Sequence, residues 1–164
     1  MDDYATHLPL LVHAVMVTSG PVLEMGCGDY STPILNRITQ TQNRRLVTCE
    51  YDAKWLSNFL HLQNSKHELY HVTDWASFKL IDECFWDVIF VDHSPGERRV
   101  HDLIRLANKA KFIILHDTEI PNGGYGYEAA YPLFKYIYKD TNRNRFRPHT
   151  SVLSNFHDTS IFEV

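Results

Sequence analysis

Four short stretches of this sequence hold residue types that do chemistry once a fold gathers them: Glu24-Met25-Gly26-Cys27-Gly28, Glu50-Tyr51-Asp52, Asp92-His93 and His116-Asp117. A Gly-x-Gly turn lets the backbone come close to a ligand, and a helix that starts just after it points N–H groups at that ligand. Any tight strand-to-helix turn favours glycine too, so the turn takes its meaning from its neighbours. Glu50 supplies one, because an acid closing the next strand can accept both ribose hydroxyls of an adenosine. A P-loop is excluded, since neither a Gly-Lys-Ser/Thr run nor any lysine lies near these glycines. Asp92 and Asp117 are candidate metal ligands: at the ends of neighbouring strands, about 4.8 Å apart, two carboxylates can share a hard cation such as Mg²⁺. The other role open to them is structural, with Asp92 capping the following turn and Asp117 bonded to backbone. His93 and His116 titrate near neutrality and are candidate proton acceptors, which with Asp117 makes three candidate catalytic residues. The remaining histidines (His7, His13, His61, His67, His71, His101, His149, His157) lack ligand spacing and read as surface or packing residues.

The elements that must position these groups alternate along the chain. Leu8, Leu11, Val12, Val15 and Met16 recur at helical spacing within 4–18, and Ser19-Gly20-Pro21 stops them. Val22-Leu23-Glu24-Met25 reads as a buried strand, and Ser31-Thr32-Pro33 caps a helix running through Ile38. Strands over 45–50, 68–72, 86–91 and 112–115 alternate with helices over 53–62, 75–81 and from Gly96 past Ala107. Strands apolar on both faces and separated by helices indicate a parallel sheet covered on two sides. Beyond the Pro121–Tyr127 loop, which suits a lid carrying Tyr125 and Tyr127, a helix is predicted over 128–138. Strands over 145–153 and 159–164 then pair as a terminal antiparallel hairpin. The expected architecture is α/β, Rossmann-like and doubly wound, with a mainly parallel seven-stranded sheet in one domain over 1–164: an N-terminal helix in 1–19 and a core over 20–164.

Glu24 lies two residues before the first glycine, where the chain meets the crevice. A carboxylate there repels a pyrophosphate but attracts an ammonium and a sulfonium, which favours S-adenosyl-L-methionine over NAD. At this point Glu24-Met25-Gly26-Cys27-Gly28 resembles the E/DxGxG motif of the class I S-adenosylmethionine-dependent methyltransferases, and Glu50 resembles their ribose acid. The resemblance covers nearly the whole chain. It implies cofactor contacts from Glu24, Gly26, Cys27, Gly28, Glu50 and Tyr51. Asp74-Trp75 would lie at the adenine, and Asp92-His93 beside it, with His93 able to stack on the ring. Asp29-Tyr30 departs from the pattern, standing where a third glycine is often found. The ends of the fourth and fifth strands are similar to the catechol O-methyltransferase branch, where acids at these positions hold a divalent metal. Thr118 stands in place of that branch's asparagine ligand, and Pro95 in place of its catalytic lysine.

Composition bounds the reading. The chain has 164 residues, 44% hydrophobic and 22% charged, which excludes disorder and coiled coil. No apolar run approaches the roughly 20 residues of a membrane span, and Asp2-Asp3 is the wrong start for a signal peptide. Three scattered cysteines, Cys27, Cys49 and Cys84, fit a reducing, cytoplasmic setting rather than a disulfide scaffold. A net charge of −4 gives no footprint for nonspecific nucleic-acid binding, although Arg143, Arg145 and Arg147 form a local basic patch. Arg98 and Arg99 either bind an anionic substrate or line a solvated helix face. Because the core consumes almost the whole chain, the expected acceptor is a small molecule methylated on oxygen, with no membrane or nucleic-acid partner and a homodimer allowed. Two other classes stay open: a non-catalytic methyltransferase-like partner module, and an NAD-dependent oxidoreductase.

Overall fold

The computed structural model describes residues 3–119, 124–140 and 148–163. Its strands are β1 (Val22–Met25), β2 (Leu46–Glu50), β3 (His67–His71), β4 (Trp86–Val91), β5 (Ala110–His116), β6 (Tyr136–Lys139) and β7 (Thr150–Ser154). They form one sheet in the order β3-β2-β1-β4-β5-β7-β6. The first five are parallel, and β7 runs antiparallel to both β5 and β6. The helices are α1 (Leu8–Met16), α2 (Ser31–Thr41), α3 (Ala53–Leu56) and α4 (Arg99–Leu106). Alternate residues of β4 serve opposite faces: Val88 and Phe90 pack with Leu10, Leu11 and Val15 of α1 and Leu35 of α2, while Ile89 and Val91 pack with Leu103 and Leu106 of α4. Both faces being covered explains why the strands carry continuous apolar runs. No helix among the described residues is long and apolar enough to cross a membrane. Cys27, Cys49 and Cys84 are free thiols.

Several predicted elements take another form. The helix expected over 75–81 is only a 3-10 turn at Leu80–Asp82. Arg105 captures the carbonyls of Trp75 and Phe78, at 2.7 Å each, which a helix would have used internally. The helix expected over 53–62 is α3 followed by a 3-10 turn at Leu60–Leu62. The helix expected over 128–138 is replaced by two 3-10 turns and β6. Pro132 lacks the N–H a helix interior needs, and Tyr136-Ile137-Tyr138 alternates between half-buried and exposed positions as an edge strand does. The terminal antiparallel pair is therefore β6 with β7. Ser160–Phe162 forms a 3-10 turn, from which Phe162 packs edge-on against Phe112 at 5.2 Å. Arg143, Arg145, Arg147 and the first three residues of the Pro121–Tyr127 loop lie outside the described residues. Tyr125 and Tyr127 pack down on the core.

The strand order reverses between β1 and β4, and ligands of open α/β sheets bind at the carboxyl side of such a point. Gly26 stands there with φ +93°, and a Cβ on it would lie 2.6 Å from the carbonyl oxygen of Asp92. Glycine is required by backbone conformation and by contact alike. Gly26→Ala should destabilise the fold by at least about 2 kcal/mol, read as a lower midpoint in urea unfolding; an unchanged midpoint would show that this close approach is not a constraint.

Candidate functional site

Glu24 is the last residue but one of β1 and is fully enclosed. Oε1 accepts the Thr32 hydroxyl at 3.0 Å, and Thr32 in turn accepts the backbone N–H of Gly28 at 2.9 Å. Oγ1 of Thr48 lies 2.7 Å from Oε2 of Glu24 and 2.8 Å from Nε2 of His67. The other nitrogen of His67 faces Oδ1 of Asn36 at 3.1 Å, an oxygen that also accepts from Gln40 and Asn64. Nδ1 of His67 must therefore carry a proton, and because burial pushes His67 down to about 4 it carries that one alone, so Nε2 keeps its lone pair. Thr48 has a single proton for two facing acceptors, and it satisfies both only when Glu24 is itself protonated and donates to Thr48. The same conclusion follows from burial, which pushes the Glu24 carboxyl up to about 7 against the pull of the Ser31, Thr48 and Thr32 hydroxyls. Glu24, expected at the cofactor's ammonium, is fully enclosed in this network beneath the loop.

Above Glu24, the loop opens on a cleft of about 450 Å³ lined by Gly26, Cys27, Gly28, Trp55, His7 and Asp92 among others. Glu50, at the end of β2, is buried under its edge. It accepts the Cys27 N–H at 3.0 Å on one oxygen and the Asp52 N–H at 2.8 Å on the other, and the Cys27 thiol is a third neighbour, which leaves the carboxylate acceptor capacity for one further donor. Trp55 donates its indole N–H to the Cys27 carbonyl at 2.8 Å and stands as an aromatic wall. Asp52, which accepts the N–H groups of Lys54 and Trp55, starts the helix that carries this wall. Around Gly28 a Cβ would meet only the Ser31 hydroxyl at 3.5 Å, so the backbone there is open to a ligand. Tyr51 is exposed and its carbonyl meets His71. Asp74 is exposed and caps its own turn at Ala76. Trp75 is buried, donates to the Ser94 carbonyl at 2.9 Å and packs tilted against His93 with ring centroids 4.2 Å apart.

The ends of β4 and β5 divide the remaining candidates. His93 is fully buried beneath α4, with Nε2 3.1 Å from Asp102. Burial lowers its pKa despite the pull of Asp102. Expected beside a cofactor or acceptor, it is enclosed here and lines neither the cleft nor the opening at the end of β5. Asp92, His116 and Asp117 do meet, at a second opening of about 490 Å³ that Arg99 and Glu119 also line. No space for a shared Mg²⁺ lies between the two carboxylates, because Arg99 fills it. Its guanidinium pairs with Asp92 at 3.0 Å and Asp117 at 2.8 Å, and Tyr125 covers it at 4.8 Å. It also holds the backbone carbonyls of Asp92 and His93, at 3.0 and 2.7 Å. Burial works against the charge on Arg99, yet Asp92, Tyr127 and Asp117 outweigh it and raise its pKa. Arg98 pairs instead with Asp102 at 3.0 Å, so neither arginine is a free anion site. His116 lies 3.3 Å from Asp92 through Nδ1; burial alone would lower its pKa, but the contact with Asp92 raises it.

No protein-family model and no curated protein matches the chain. Solved structures do. Cofactor-bound Rv0187 from MTB aligns over 92% of this chain and 80% of its own, with TM-score 0.64 and 19% identity. TrmK from M. capricolum, in complex with S-adenosyl-homocysteine, aligns over 91% of this chain and 69% of its own, with TM-score 0.55 and 13% identity. The 23S rRNA methyltransferase ErmE aligns over 95% and 73%, with TM-score 0.56 and 15% identity. The chain has the Rossmann-like methyltransferase fold. This likeness overturns the expected small-molecule acceptor. ErmE is named for 23S rRNA and shares nearly all of this core, so a core of this size says nothing against nucleic acid. The resemblance to the catechol O-methyltransferase branch also fails, since Arg99 takes the place of a metal between the carboxylates and Thr118 is engaged with Ser151 at 3.0 Å.

Sequence reasoning missed three residues here: His7, Arg99 as an internal ion-pair partner, and Trp55. His7 lies three and four residues before Leu10 and Leu11, and Arg99 four and seven before Leu103 and Leu106, so both sit on buried helix faces. A polar residue inside an apolar stripe was the available signal. Glu24→Gln should keep the network, since its amide donates to Thr48 and accepts from Thr32. In the wild type the unfolded carboxyl releases its proton near 4.5 and the folded one near 7, so stability falls as pH rises through that window. Urea unfolding should show the variant spared a loss on the order of 3 kcal/mol between pH 5 and pH 8; parallel pH profiles would mean Glu24 is ionised when folded.

Proposed function

We propose that this chain is an S-adenosylmethionine-dependent methyltransferase. In this reading the cofactor lies in the cleft over Gly26–Gly28 and the acceptor enters at the ends of β4 and β5. The observation that carries it is the placement of Glu50 and the glycine loop together at the reversal of strand order, in a methyltransferase fold. The donor set fits an adenosine: a carboxylate with acceptor capacity left for a ribose hydroxyl, an indole wall, and a loop without side chains at Gly26 and Gly28. When bound, the cofactor supplies a methyl group on a positively charged sulfur. Glu50 then orients the ribose, and Trp55 shields one side of the cleft from water. Asp92 and His116 face the acceptor opening, where they can orient the nucleophile or take its proton. Arg99 offsets part of the charge of Asp92, Asp117 and Glu119 there, and the acidic excess favours an uncharged nitrogen or oxygen nucleophile, whose attack on the methyl needs a free lone pair. Alignment and desolvation supply most of the catalysis, because charge is dispersed as the methyl moves.

Calorimetric titration of S-adenosylmethionine and S-adenosylhomocysteine tests this directly, followed by methyl-transfer assays on RNA and protein acceptors. Both ligands should bind, and Glu50→Ala, with its fold checked by circular dichroism, should weaken them at least about tenfold through the lost charged hydrogen bonds. Binding of neither ligand would overturn the proposal.

A further inference from the structure

His7 enters α1 with its ring against Phe90, at a centroid distance of 4.7 Å, and edge-on to His116 at 4.9 Å. The residue is 3% exposed, and among the described residues neither ring nitrogen has a hydrogen-bond partner. A buried imidazole left in this state forfeits the bonds it would make in water, which calls for an explanation. The explanation lies in what it faces. One donor atom each from His7, Asp92 and His116 lies within 4.8 Å of the other two.

The surroundings orient these donors. Thr6 donates its hydroxyl proton to the Pro148 carbonyl at 2.6 Å, so its oxygen can only accept from His116 Nε2 at 3.1 Å. Nε2 of His116 therefore carries a proton, and Nδ1 is the nitrogen turned to Asp92. With its far N–H held by an oxygen, this imidazole is oriented as metal-bound histidines are, and a metal ion can replace the proton that otherwise bridges Nδ1 to Asp92. Asp92 divides its oxygens in the same way: Oδ1 is taken by Arg99, and Oδ2 faces His116.

We infer that His7, Asp92 and His116 bind one divalent transition-metal ion as a two-histidine, one-carboxylate face. Two neutral nitrogens and one oxygen suit Zn²⁺, Fe²⁺, Co²⁺ or Mn²⁺, not Mg²⁺ or Ca²⁺, which demand oxygen. Metal–ligand distances near 2.0–2.2 Å bring donor atoms to about 3.3 Å of one another. Modest ring rotation of His7 closes the difference. This site lies on the opposite oxygen of Asp92 from Asp117, so it is not the carboxylate pair that Arg99 occupies. Asp92 lines both openings, and the ion's remaining positions are left for an oxygen or nitrogen donor of a ligand. The assignment does not depend on methyl transfer.

Full-length protein stripped with a chelator and titrated with Co²⁺ gives the test, because visible absorption reports the ion's coordination without any assay of activity. One equivalent should produce saturable bands that Zn²⁺ abolishes and Mg²⁺ does not. His7→Phe, which keeps the contact with Phe90, should remove them while far-ultraviolet circular dichroism stays unchanged. Thr6→Val, which leaves all three donors in place, should weaken binding about tenfold or more and gives a second reading should His7→Phe fail to fold. No saturable binding, bands unaltered in His7→Phe, or bands lost in Asp117→Asn but kept in His7→Phe would each overturn the assignment. S-adenosylhomocysteine binding measured on the same sample reports separately on the proposed function.

Discussion

Between Oε2 of Glu24 and Nε2 of His67 stands one hydroxyl, that of Thr48, with one proton to give. The network closes only if Glu24 brings a proton of its own. A neutral acid can be buried fully at modest cost, where a carboxylate could not. From that point β1, β2, β3 and α2 are bonded to one another through side chains: Glu24, Thr48, His67 and Asn36 in turn. The Thr32 branch reaches the Gly28 N–H and so sets the path of the loop. The open turn at Gly26–Gly28 is therefore held from beneath by a polar chain and from the side by the close contact of Gly26 with Asp92. Neither support relies on the ligand that the turn is shaped to receive.

A second constraint acts at the far side of the cleft. Asp92 and Asp117 close adjacent strands, and two carboxylates so placed repel unless something positive lies between them. Arg99 does so from the first turn of α4, and it also grips the carbonyls of Asp92 and His93. Asp117 takes a left-handed backbone, φ 59°, to reach it. Asp tolerates that conformation better than most residues. The cation expected between these acids is real in charge, but the protein supplies it from its own chain.

What the sequence showed of all this follows the range of the forces involved. β1, β2, β4 and β5 were legible because burial on both faces writes apolar runs, and Glu24, Gly26 and Glu50 were legible because strand ends fall where those runs stop. The antiparallel ending was expected as a class, yet its strands were misplaced. The 136–139 stretch looks helical until Pro132 is given its weight, and the last residues of the chain are used as a plug around Phe162. His93 and His116 looked alike, each beside an aspartate at a strand end. One turned beneath α4 and the other into the opening, a choice made by Asp102 and Thr6, which no local pattern records. The apolar stripe of α1 marks His7 as buried, but not what it meets, since its neighbours Asp92 and His116 are remote in sequence.

Thr6 bonds at once to His116 and to the Pro148 carbonyl, spanning 110 and 142 residues of chain. A polypeptide emerging from its N-terminus can assemble β1, β2 and β4 and their loops early, but it cannot make the second of these bonds until residue 148 has been synthesised. The wall of the cleft carried by His7 is thus joined to β5 through a hydroxyl whose proton is held by a carbonyl 142 residues further along. The glycine loop and Glu50 are built from residues 24–50 alone, while the opposite wall needs both ends of the described sequence, so the two sides of the cleft draw on chain segments of very different span.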